Sequence, residues 1–266
     1  MKNVTLVSGS GKVKEISFET IEELSEEAKS FKITISNYAK IGNCCTFYGR
    51  TLIGAGATIG DNVTIISSTV SPMAKVGNNS SVGENCFVSP EASIGANTTI
   101  ERNVVIRDKA TIGSEVGIGA NSDIGKAIIF DKAYIGREVI VLDGATIGNG
   151  SNIMDSSLVC ESAAIAADAI ISHGSTIPRG CKNVFETVAI AGLAFEDITI
   201  IKVGREVESS QYKLFYSGEL HQTSSIGSCK FKFTKKNTEY LDFFQKTLYN
   251  NNMKKKNLCC KKSKNA

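Results

Sequence analysis

The chain has 266 residues, 42% of them hydrophobic, with 24 Gly, 12 Phe, 7 Tyr and no Trp, so any core is built from small aliphatic side chains rather than aromatics. Its net charge of +3 is a poor average: residues 251–266 hold six lysines and no acid, leaving 24 basic against 27 acidic groups elsewhere, a net of −3. A body of that charge gives no reason to expect nucleic-acid binding, and no uninterrupted apolar run reaches the length of a membrane span.

The chain opens with alternating apolar residues, Val4 and Leu6, then Val13 and Ile16, around Ser8-Gly9-Ser10-Gly11. This pattern predicts a hairpin. Thr20, with Glu23 three residues on, then reads as a capping box ahead of a short helix carrying Ile21, Leu24 and Ala28 on one side.

From Ile35 to Cys181 a branched aliphatic returns about every sixth residue, as in Ile94, Ile100, Ile106, Ile112, Ile118 and Ile124. Phe47 fills one slot, and two five-residue steps, after Ile65 and after Ile124, interrupt the count without breaking it. A small residue stands four places after each aliphatic, for example Ala92, Thr98, Val104 and Ala110. A period of six is neither helical nor that of a lone strand, so the unit is a short strand plus a turn, with the small residue and the next aliphatic sharing the inner face. Glycine follows many ladder aliphatics, including Gly42, Gly60, Gly77, Gly95 and Gly113. At those points it is expected to supply the corner of the turn.

This run resembles the hexapeptide-repeat family, whose pattern is aliphatic, Gly, any, any, small, any. The resemblance implies an all-β, single-stranded left-handed parallel β-helix in which three hexads make one triangular coil. Twenty-five ladder positions then give about eight coils, a prism roughly 40 Å long at ~4.8 Å per stacked strand. The expected organisation is a hairpin and helix cap over residues 1–32, the β-helix over 33–192, a C-terminal strand and helix cap over 193–250 and a disordered basic tail over 251–266. The N-terminal cap is expected to cover the lowest coil, whose unpaired strand edges would otherwise invite another chain.

Beyond Cys181 the ladder slips by one residue to Val184 and then Ile190, which predicts one further coil. Ile198 to Val203 and Tyr212 to Tyr216 read as strands. Thr238 to Tyr249 reads as a helix with Leu241, Phe244 and Leu248 on one face. In the tail, Cys259-Cys260 among lysines has the composition of an acylated membrane anchor, against which stands the plainer reading of a solvated end. Cys45, Cys86 and Cys181 occupy inward slots and read as core thiols of a reducing compartment, so a cytoplasmic location is expected. The cysteine spacing does not match a zinc site.

Two histidines occur, His173 and His221, which excludes the carbonic anhydrases of this fold with their three histidine ligands. His173 lies in Ile171-Ser-His-Gly-Ser-Thr-Ile177, a string similar to the one presenting the catalytic base in the family's sugar acyltransferases. An imidazole, with an ordinary pKa of about 6.5, suits removal of a proton from a hydroxyl or amine attacking a thioester. Three ladder steps to a coil stack His173 over Asp155 and Asp155 over Arg137, and the same count upward places Gly192 above His173. The resemblance therefore implies His173 as base, the Gly192 N–H as oxyanion donor and Asp155 as a residue orienting the imidazole. It further implies acyl-CoA or an acyl-carrier protein as co-substrate, no permanently bound cofactor, no metal, a small-molecule acceptor such as a sugar or nucleotide sugar, and a homotrimer. His221 lies outside the repeat and reads as a surface residue. The alternative for the whole chain is a non-catalytic β-helix scaffold, with His173 one more solvated side chain. The absence of a long loop projecting from the coil favours that alternative.

Overall fold

The computed structural model describes residues 1–190, 198–203, 211–216 and 219–225, with side chains through Val184. All of these belong to one compact unit, residues 1–227.

Strands β1 (Lys2–Val7) and β2 (Val13–Phe18) form the expected antiparallel hairpin, from Lys2 opposite Phe18 to Val7 opposite Val13. Helix α1 (Ile21–Lys29) begins at the expected capping box: Thr20 Oγ1 accepts from the Glu23 N–H, and the Glu23 carboxylate accepts from the Thr20 N–H. Leu24 and Ala28 are buried, and Ile21 packs at the edge of the core.

The first coil consists of β3 (Thr34–Ile35), β4 (Lys40–Ile41) and β5 (Cys45–Tyr48). Each meets a different part of the cap. β1 adds to β5 as a parallel strand, Val4 opposite Cys45 through Val7 opposite Tyr48. Lys2 Nζ donates to the Ile41 carbonyl at 2.7 Å, and Ser25 Oγ to that of Ile35 at 2.7 Å. The lowest carbonyls thus find donors that would otherwise have to come from water or another chain.

Above this floor the chain climbs as a parallel β-solenoid of about eight turns, nearly all β, with α1 the one helix among the described residues. The three columns of strands repeat every 18 residues: Ile94 pairs with Ile112, Ile100 with Ile118 and Ile106 with Ile124. Each five-residue step shortens one turn by one, so that Ile65 pairs with Val82 and Ile112 with Ile129. No loop is inserted at either place. The ladder aliphatics and Phe47 fill a continuous buried core.

The corners are built differently from the expectation. Gly95, directly after its ladder aliphatic, does not take a left-handed conformation; Asn97, two residues later, does, with φ 55°. Nearly every corner repeats this, often with Asn, which tolerates that region better than other residues with a Cβ. Gly95 is needed for space instead. A Cβ there would stand 2.5 Å from the carbonyl carbon and oxygen of Gly113, one turn above.

At the top the repeat gives way. Strand Ala164–Ile171 is eight residues long and pairs with two columns at once, Thr146–Ile147 and Asn152–Ile153. Val184 still stacks on Ile165, but then Ile170, not Ile171, is matched, and its partner is Glu186. Ile190 pairs antiparallel with Ile198. The expected further coil therefore ends after Val184, and strands Ile198–Val203, Gln211–Tyr216 and Glu219–Ser225 continue as an antiparallel meander. The helix expected over Thr238 to Tyr249 and the basic tail lie outside the described residues. Among the described residues no helix is long and apolar enough to cross a membrane.

Candidate functional site

His173 occupies the turn between strand Ala164–Ile171 and strand Thr176–Ile177. The turn is held by its backbone: the Gly174 N–H, with φ 66° at that residue, donates to the Asp155 carbonyl at 3.0 Å, and the Ser175 N–H donates to the Ser172 carbonyl at 3.2 Å. Ser157 Oγ reaches the Ser172 carbonyl from inside at 3.1 Å. The corner is therefore fixed from below and within, while the imidazole itself is exposed and makes no hydrogen bond or ion pair among the described residues.

Asp155 lies one turn below His173, as the stacking predicts, because Ile153 pairs with Ile171. Its carboxylate does not turn upward to orient the ring. Oδ1 accepts from the Arg137 N–H at 2.8 Å, in the turn beneath. The same device recurs along the corners: Asp61 accepts from the Asn43 N–H at 2.7 Å, Asp131 from Ser114 at 2.8 Å and Asp143 from Lys126 at 2.8 Å. A corner amide has no ladder partner, and an acidic or amide side chain one turn up supplies it. The Asp155 side chain thus closes a backbone bond, and its link to the His173 turn runs through its carbonyl.

Gly192 lies outside the described residues. The count that stacked it over His173 needed Ile190 above Ile171, and the pairing of Ile170 with Glu186 and of Ile190 with Ile198 breaks that count. His221 falls in strand Glu219–Ser225, at a position whose side chain is outside the described set.

The interior thiols match their expectation. Cys45 Sγ donates to the Gly60 carbonyl at 3.0 Å, and burial pushes its pKa from the ordinary 9.0 to about 11. Burial also pushes the Cys86 thiol up. No group of three His, Cys, Asp or Glu side chains gathers as a metal site among the described residues.

One set of neighbours escaped the sequence reading. The column of strands that leads up to the His173 turn presents Thr46, Thr64, Ser81 and Thr99 outward on successive turns, then changes to Gly117, Tyr134, Asn152 and Ile170, beyond which Glu186 is paired. Tyr134 and Ile170 are 50% and 52% exposed. The signal was present in the residue before each ladder aliphatic, where glycine stands at Gly117 beneath an aromatic one turn on.

No family model matches the chain, and no curated protein matches its sequence. Several solved structures do match. LpxA, a UDP-N-acetylglucosamine acyltransferase from Bacteroides fragilis, is 18% identical over 59% of this chain and 69% of its own, with a TM-score of 0.37. The UDP-N-acetylglucosamine acyltransferase of Arabidopsis is 18% identical over 58% of this chain and 62% of its own, TM-score 0.29. The acetyltransferase domain of PglB from Neisseria gonorrhoeae, solved with acetyl coenzyme A, is 19% identical over 50% and 61%, TM-score 0.24.

Proposed function

We propose that this chain is an acyl- or acetyltransferase that moves an acyl group from a CoA or acyl-carrier thioester to a hydroxyl or amine, on a sugar or nucleotide sugar, with His173 as general base. The observation that carries the reading is the exposed imidazole on a turn anchored on both sides of it, through the Ser172 carbonyl and the Gly174 N–H, within the string Ile171-Ser-His-Gly-Ser-Thr-Ile177. A base carried on an anchored turn and open to solvent can meet an acceptor without first giving up a protein partner. In the reaction the acceptor oxygen or nitrogen attacks the thioester carbonyl while His173 takes its proton. The carbon–sulfur bond then breaks, and the imidazolium returns the proton to the leaving thiolate. Asp155 supports the base by holding the Gly174 N–H. The oxyanion donor of this reading is the Gly192 N–H, a residue outside the described ones. The working form is a homotrimer in the cytoplasm, with no permanently bound cofactor.

His173→Ala is expected to lower acyl transfer at least a hundredfold, the usual reach of general-base catalysis. Transfer at the wild-type rate by a folded His173→Ala protein removes the assignment. The loop-free coil favours a second reading, a non-catalytic scaffold. Solution mass and thermal shift with CoA separate the two: a trimer stabilised by CoA supports the enzyme, and a monomer indifferent to CoA supports the scaffold.

A further inference from the structure

The outward column on the face below His173 changes character where the repeat itself gives no reason to change. Every turn asks the same of its outer strand residue, a β-compatible side chain tolerant of water, and Thr46, Thr64, Ser81 and Thr99 meet that demand. Gly117 does not. It weakens its strand, and an interior strand glycine commonly marks a place that something else must approach. Here the approaching group is the Tyr134 ring: a Cβ on Gly117 would stand 3.1 Å from Tyr134 Cδ2 and 3.5 Å from Cε2. The missing side chain makes room for the ring, which remains half exposed.

Asn152 is stacked directly on Tyr134 and beneath Ile170. Its Oδ1 is shut away from solvent and has no hydrogen-bond partner among the described residues. Leaving such an acceptor unmade is costly, and the cost is relieved by a donor that parts the side chains around it. An aromatic ring, an orphaned amide oxygen and an exposed aliphatic therefore stand in line, one turn apart, and the line leads to the strand that enters the His173 turn, with Glu186 paired next beyond Ile170. A ligand with C–H-rich faces and hydroxyl donors at its rim fits this combination, since apolar walls with a few placed polar groups are how small-molecule sites set orientation. Sugar rings have that chemistry.

We infer that Tyr134 and Asn152 form a carbohydrate platform, Tyr134 stacking on a sugar ring and Asn152 Oδ1 accepting from one of its hydroxyls. Resting on the acyl-transfer reading above, the platform identifies the acceptor as an extended glycan. Two turns separate Tyr134 from the level of His173, roughly 10 Å, which is longer than one pyranose ring. The sugar that is acylated lies at His173, and a second ring of the same chain lies on Tyr134.

Calorimetric titration of the full chain with chitotriose and maltotriose, and with the matching monosaccharides, tests this. The expected result is tighter binding of one trisaccharide than of its monosaccharide, a loss of about fivefold in that preference in Tyr134→Ala, as one aromatic contact allows, and retention in Tyr134→Phe. Asn152→Leu, which keeps the bulk and removes the amide, is expected to weaken the same ligand. The platform is overturned if wild-type protein binds no saccharide at millimolar concentration, if Tyr134→Ala binds the trisaccharide as tightly as wild type, or if Tyr134→Ala changes only the chain length of thioester accepted. His173→Ala separates the two ideas. Unimpaired acyl transfer by that variant ends the catalytic assignment, while saccharide binding that still depends on Tyr134 leaves the platform standing.

Discussion

The Asn103 side-chain amide donates to Asn121 Oδ1 at 3.0 Å, although the two stand eighteen positions apart in the chain. Both occupy left-handed corner positions, φ 58° and 62°, and Asn85 extends the row at 3.5 Å below. A second row runs through Asn62, Asn79 and Asn97. Each asparagine serves its corner twice, by tolerating the backbone and by bonding to the next turn. Asn103→Ala should therefore lower stability by about 1–2 kcal/mol, and Asn103→Gly, which restores the backbone preference without the amide, by less than half of that. Urea unfolding of the two variants checks the order.

Buried hydroxyls perform a related service inside. Thr98 Oγ1 donates to the Gly113 carbonyl at 3.0 Å and accepts from the Val116 N–H at 3.3 Å. Ser80 does the same for Gly95 and Thr98. Thr98→Val keeps the shape and strands both backbone groups, so a loss of about 2–3 kcal/mol is expected, read as a lower urea midpoint. A midpoint equal to wild type shows that the hydroxyl is not needed there.

The close approach at the ladder glycines predicts intolerance of even a methyl group. In Gly95→Ala the new Cβ meets backbone atoms of Gly113, which cannot rotate away as a side chain would. A cost of about 3 kcal/mol is expected, visible as a drop in Tm with the circular dichroism of the remaining coil preserved.

Cys45 links stability to alkaline pH. Below pH 9.0 both folded and unfolded chains hold the thiol proton; above it the unfolded chain releases the proton while the folded chain keeps it until about pH 11. The unfolded state then binds fewer protons, and stability falls as pH rises through that window, by about 2 kcal/mol from this group. Cys45→Ala should flatten the fall between pH 9 and 11 relative to wild type. Exposed Cys44 should react with iodoacetamide at pH 8 while Cys45 does not.

The coil was legible because each turn repeats the same demand, so a single missing residue after Ile65 or Ile124 could not hide the period. Its upper end was not. Val184 and Ile190 both satisfy the ladder, but the slip that matches Ile170 with Glu186 is a change in hydrogen-bond register, and periodicity carries no record of register. The glycines were located correctly and assigned the wrong cause, since a small residue looks the same whether it answers a dihedral or a neighbour 2.5 Å away. Stacking placed Asp155 under His173, yet the direction of its carboxylate is decided by an unpaired amide at Arg137 that no side-chain pattern reveals.

Because β1 lies beside β5 and supplies the first template edge, the floor of the molecule leaves the ribosome before anything that rests on it. Every later turn can add to a finished surface lying eighteen residues behind, so growth proceeds upward during synthesis with little search. A fault in a low turn then halts assembly above it, whereas the same fault near the top spares most of the column.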